Sequence, residues 1–102
     1  MESNKLLSML GLCKRAGFLL EGYEVVVDAA KYDRLPLLLT AKDLSPNSLR
    51  KLSNAIEQST SKHTVLPLTM SDLEQRLGRR VGILGVADQG FATAIGDILA
   101  VE

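Results

Sequence analysis

The chain is expected to fold as an α/β protein with helices on both sides of one sheet. Three observations lead there. Strand-like and helix-like segments alternate along the whole length. The run Leu35-Pro36-Leu37-Leu38-Leu39-Thr40-Ala41 is continuously apolar, the pattern of a strand covered on both faces. Helix caps and stops recur between the apolar segments at Ser45-Pro46, Gly78 and Asp88. With 102 residues and an apolar fraction of 46%, there is one domain, 1–102, with enough material for a core. No repeat, linker or low-complexity segment interrupts it.

In chain order, Leu6, Leu7, Leu10 and Cys13 recur at helical spacing and predict a helix over about residues 4–16. Ser3 or Asn4 would cap its start and Gly17 its end, with Lys14 and Arg15 in the last turn. Phe18 to Leu20 is a short strand candidate. From Gly22 to Arg34 two readings compete. Val25-Val26-Val27 has strand propensity, whereas Val26, Ala29 and Ala30 share a helical face and Asp28-Lys31 is an i,i+3 pair; helix is the preferred reading. Leu35–Ala41 is the buried strand.

Ser45-Pro46 then opens a helix marked by Leu49, Leu52 and Ile56 and reaching about Ser61. Thr64 to Thr69 reads as a strand that Pro67 places at an edge. Ser71-Asp72-Leu73-Glu74 matches a capping box for a short helix ended by Gly78. Val81 to Val86 is the last strand, and Asp88 caps a final helix whose Phe91, Ile95 and Ile98 share a face.

Net charge is zero, from 12 Lys+Arg and 12 Asp+Glu. Strong nonspecific nucleic-acid binding normally needs a basic surplus, so any such activity here rests on a local patch. One cysteine, Cys13, excludes an internal disulfide and suits a reducing compartment. The N-terminal apolar stretch is broken by Ser8 and ended by Lys14-Arg15, too short for a signal peptide, and no run approaches the ~20 residues of a membrane span. The expectation is a soluble cytoplasmic protein.

No phosphate-binding glycine loop, nucleophile elbow or metal-spaced cluster is present, so no catalytic residue, metal or cofactor is assigned and enzyme activity is not expected. His63 has no second ligand at metal spacing and reads as structural. Cys13 falls on the apolar face of the first helix and reads as core.

The order of elements, together with Leu10-Gly11-Leu12-Cys13-Lys14-Arg15-Ala16-Gly17 and Asp88-Gln89-Gly90-Phe91-Ala92, resembles the L-seven-Ae / L-thirty-e family of kink-turn RNA-binding ribosomal proteins. In particular it resembles the small bacterial members encoded beside translation factors. The resemblance covers nearly the whole chain. It implies a three-layer α/β/α sandwich with one small mixed four-stranded sheet.

It also implies RNA contacts at the start of the second helix and in the loop before the last strand. In the family the helix motif is glycine, a variable residue, a polar pair that reads sheared G·A base pairs, and a lysine three residues after the pair. Here Gly22 and Tyr23 match, the pair falls on Glu24 and Val25, and the lysine position holds Asp28. Glutamate accepts hydrogen bonds without donating and valine does neither, while Asp28 is negative where the family is positive. The loop is represented by Arg79, Arg80, Val81 and Gly82; its arginines suit phosphates or stacked bases. Lys14, Arg15 and Lys42 would extend the patch if the fold brings them near.

The function so implied is non-enzymatic docking on structured, kink-turn-like RNA in the ribosome or another ribonucleoprotein, with no DNA and no membrane partner. The alternative is a protein-interaction or small-ligand module that kept the fold and lost kink-turn recognition.

Overall fold

In the computed structural model, which describes residues 2–101, nine elements alternate. They are α1 (Glu2–Arg15), β1 (Leu19–Glu21), α2 (Tyr23–Lys31), β2 (Leu37–Thr40), α3 (Pro46–Ala55), β3 (Lys62–Val65), α4 (Met70–Leu77), β4 (Ile83–Val86) and α5 (Gln89–Ala100). The strands form one mixed sheet in the order β1-β4-β2-β3. The central strand β4 is antiparallel to both neighbours, with Val86 opposite Leu19 on one side and Leu37 on the other, and β3 runs parallel to β2.

Both central strands are buried at every position, which requires cover on both faces. Side chains alternate accordingly. Leu37, Leu39, Leu84 and Val86 join Leu6, Leu10, Cys13, Leu73, Leu77, Ile95 and Ile98 beneath α1, α4 and α5. Leu38 and Ile83 join Val26, Ala30, Leu35 and Leu52 beneath α2 and α3. The result is the three-layer α/β/α sandwich.

Gly85 points into the second cluster, where an added Cβ would lie 2.6 Å from Leu35 Cδ1 and 3.3 Å from Val26 Cγ2. Overpacking a closed core costs about 1–3 kcal/mol. Gly85→Ala is therefore expected to lower unfolding free energy by about that amount in urea titration; unchanged stability would mean that the α2 layer is loosely packed.

The segment Tyr23–Lys31 is helical despite its three valines, because Val26 and Ala30 bury one turn apart. Local signals hold at Ser45, whose side chain accepts from Ser48 N–H ahead of Pro46. They hold also at Asp88, which accepts from Phe91 N–H at 2.9 Å, and at Gly78, left-handed at φ 78°.

Several boundaries move. Helix α1 already includes Ser3 and Asn4, so neither is its cap. Helix α3 ends at Ala55 rather than near Ser61. There the Ser59 hydroxyl accepts from Ser61 N–H and the Ser61 hydroxyl donates to Leu35 O, so these serines serve a turn instead of a helix. The third strand begins and ends earlier than Thr64–Thr69. Leu66 N–H donates to Thr40 O just beyond its end, and Pro67, having no N–H, cannot continue the ladder. The capping box is Thr69 with Asp72, two residues ahead of the one expected: Thr69 Oγ1 accepts from Asp72 N–H at 3.1 Å and Asp72 Oδ2 accepts from Thr69 N–H at 2.9 Å.

Candidate nucleic-acid interface

Strand direction gathers the candidate residues. The ends of β1 and β2 lie beside the start of β4, because both pair with it antiparallel. Gly22 N–H donates to Ile83 O and Ala41 N–H to Gly82 O, each at 2.9 Å. Gly22, Lys42 and Gly82 therefore share one rim of the sheet, and the α4–β4 loop carries Arg79 and Arg80 onto it.

Gly22 is the N-cap of α2 at φ 109°, ψ 158°, and offers no side-chain cap. The first-turn N–H groups of a helix lack intrahelical acceptors, so an uncapped start presents donors and the positive end of the helix dipole. The Arg79 guanidinium lies over this start. Its Nη1 is 3.5 Å from Glu21 O, and its Nη2 is 3.5 Å from where a Gly22 Cβ would stand. The two contact elements expected from the sequence thus form one surface.

Beside them, Glu24, Val25 and Asp28 are all exposed on α2, Val25 by 47%. Glu24 and Asp28 are one turn apart and share a negative stripe. Tyr23 is half-buried against the α2–α3 cluster, with Lys51 Nζ of α3 4.7 Å from its ring centre, a cation–π contact. Lys51 is a cation that no motif in the sequence points to.

Lys14 is exposed but engaged: its Nζ donates to Leu77 O at 2.6 Å and pairs with Glu21 Oε1 at 3.2 Å. It ties the ends of α1 and α4 to the end of β1 rather than compensating its own helix. Arg15 is exposed. Arg80 stands 3.6 Å from Glu74 with both side chains about half exposed, a pairing worth little.

Lys42 is exposed and near Asp72. The Thr69 N–H and then its hydroxyl hold that carboxyl below the usual range, with a smaller push from Lys42. Val81 is buried with the α1–α4–α5 core, so it presents no side chain to a ligand. Gly82 has a packing reason: a Cβ there would meet Leu44 Cδ1 at 2.8 Å and Met70 Sδ at 2.9 Å.

No protein-family model matches the chain. The RNA-binding protein YlxQ of Bacillus subtilis (strain 168) is 30% identical over 98 residues, covering 89% of this chain and 91% of that protein. The chain belongs to the YlxQ family. YlxQ of Enterococcus faecium, also described as an RNA-binding protein, is 25% identical over 92 residues, covering 86% of this chain and 84% of its own length.

Among solved structures, a Bacillus halodurans protein of unknown function superposes with a TM-score of 0.84 at 28% identity, covering 94% of this chain and 97% of its own. The Giardia lamblia 15.5kD RNA binding protein superposes with a TM-score of 0.75 at 13% identity, covering 97% and 85%. The latter shows that the YlxQ-family chain has the L-seven-Ae-like fold.

Elsewhere in this YlxQ-family chain the chemically capable groups are used structurally. Cys13 is fully buried, and burial, then the nearby Asp88 charge, pushes its thiol up to about 11. A thiol that stays protonated at neutral pH is a poor nucleophile. His63 Nε2 lies 3.0 Å from the buried Thr40 hydroxyl, and partial burial lowers its pKa. Among the described residues no three His, Cys, Asp or Glu are grouped to hold a metal, and no helix is long and apolar enough to cross a membrane.

Proposed function

We propose that this protein is a non-enzymatic, cytoplasmic RNA-binding protein that docks the rim around Gly22 and Arg79 on structured, kink-turn-like RNA, in the ribosome or another ribonucleoprotein. The observation that carries the reading is the Arg79 guanidinium lying over the uncapped start of α2. A phosphate placed there meets helix N–H donors, the helix dipole and a fork of guanidinium donors together. Lys42 and Arg80 add charge along the same rim. The relatives described as RNA-binding proteins support the reading.

The direct test is Arg79→Ala with Arg80→Ala, titrated against a kink-turn RNA carrying two duplex stems over a range of salt. Binding is expected to weaken, and the slope of log K against log salt to become shallower by roughly 0.7–0.9 for each phosphate that an arginine no longer neutralises. An unchanged slope would remove the loop from the interface. Both side chains are exposed, so the unfolding midpoint serves as the control for an intact fold.

A second reading has its own observation. Val25 is exposed beside two carboxylates on the face where kink-turn binders carry a polar pair and a lysine. Such a face suits a protein partner, on a fold that by itself fixes no function.

A further inference from the structure

We propose that the groove between α1 and α4 holds a second stretch of RNA backbone, continuing the rim as a phosphate track. The inference rests on the RNA-binding reading above. The groove encloses about 450 Å³ and is lined by Ser8, Gly11, Leu12 and Arg15 from α1 and by Arg76 and Leu77 from α4, with Lys14 at its end.

Residues 8, 11, 12 and 15 fall on one stripe of a helix, so α1 turns a continuous edge to the groove. Ser8 and Gly11 keep that edge low. The Arg76 stem lies along Gly11, with Cδ 3.5 Å from where a Gly11 Cβ would stand, which holds the arginine at the groove wall.

Charge selects the occupant. Three of the lining residues are cationic and none is acidic. Lys14 is engaged by Glu21 and Leu77 O, but among the described residues neither Arg15 nor Arg76 has an ion-pair partner. Asp72 lies on the other side of Arg76, in a neighbouring depression with Leu7 and Gln75.

Unpaired guanidiniums along an open groove with no acid in its lining match a row of phosphates. The groove and the rim are linked through the end of α4. Leu77 forms part of the groove wall, Lys14 clamps the Leu77 carbonyl, and Arg79 follows two residues later. An RNA seated at Gly22 and Arg79 has this groove as its basic exit path.

The test compares three forms on one kink-turn RNA with two duplex stems: the native chain, Arg15→Gln with Arg76→Gln, and Arg79→Ala with Arg80→Ala, each titrated across salt. For the glutamine pair the slope of log K against log salt is expected to fall by roughly 1.5, two phosphates at about 0.7–0.9 each, with the unfolding midpoint unchanged. Arg15→Lys with Arg76→Lys should restore the native slope, since the track needs charge.

A native slope in the glutamine pair, alongside a reduced slope in the Arg79/Arg80 variant, would overturn the groove and leave the rim standing. It would also leave the groove to an acidic protein partner. No binding by the native chain at the lowest salt would overturn the rim and the groove together.

Discussion

Replacing Glu24 by asparagine, Val25 by glutamate and Asp28 by lysine in one chain is expected to raise affinity for a standard kink-turn RNA about 100-fold, or roughly 3 kcal/mol. The effect has three parts. Asparagine adds an N–H₂ donor where Glu24 only accepts, and glutamate adds an acceptor where Val25 has no hydrogen-bonding group. Lysine replaces a carboxylate that repels the phosphate backbone. All three residues are exposed on α2, so the core is untouched. The first-turn acid of α2 moves from position 24 to position 25, so the favourable helix-dipole interaction is kept and little structural cost is expected. A gel-shift titration reads the outcome. If the native chain already binds the standard RNA as tightly as the variant, Glu24, Val25 and Asp28 are harmless at this interface, and the protein-interaction reading loses its support.

Gly22→Ala is expected to cost about 1–3 kcal/mol of stability, because φ 109° with ψ 158° is a conformation essentially reserved for glycine. Crowding contributes little: the nearest atom to an added Cβ is Arg79 Nη2, at an ordinary 3.5 Å. The strain is relieved only by moving the backbone that joins β1 to α2 and donates to Ile83 O. That movement shifts the start of α2 away from Arg79, so RNA affinity should fall with stability. Urea titration beside RNA titration checks both. A variant as stable as the native chain would contradict the backbone geometry at Gly22.

Much of the fold is legible in the sequence because its signals are local. The apolar run at Leu35–Ala41, the Ser45-Pro46 cap, the Gly78 stop and the Asp88 cap each act within a turn or two, and each holds. The start of β3 is not legible, because Lys62 and His63 carry little strand propensity and only the pairing with β2 brings them into the ladder. The capping box shifts because Thr69 and Ser71 each stand three residues before an acid, and packing of Leu73 and Leu77 selects the first frame.

At the site, the sequence points to Gly22 and Arg79 but not to their approach, which the β1–β4 pairing creates. Lys51 over Tyr23 and Arg76 along Gly11 are likewise contacts between distant segments, with no local pattern to announce them. Val81 reads as the first residue of the last strand and as a candidate RNA contact, yet it precedes β4 and closes the core beneath α1 and α4.

The central claim is that the Gly22–Arg79 rim binds RNA. Ultraviolet crosslinking in living cells tests it most directly, with sequencing of the trapped RNA and mapping of the crosslinked peptides. The account predicts reads enriched at one structured site and crosslinks on the segments containing Gly22 and Arg79. Recovery of RNA no higher than from a neutral control protein would contradict it.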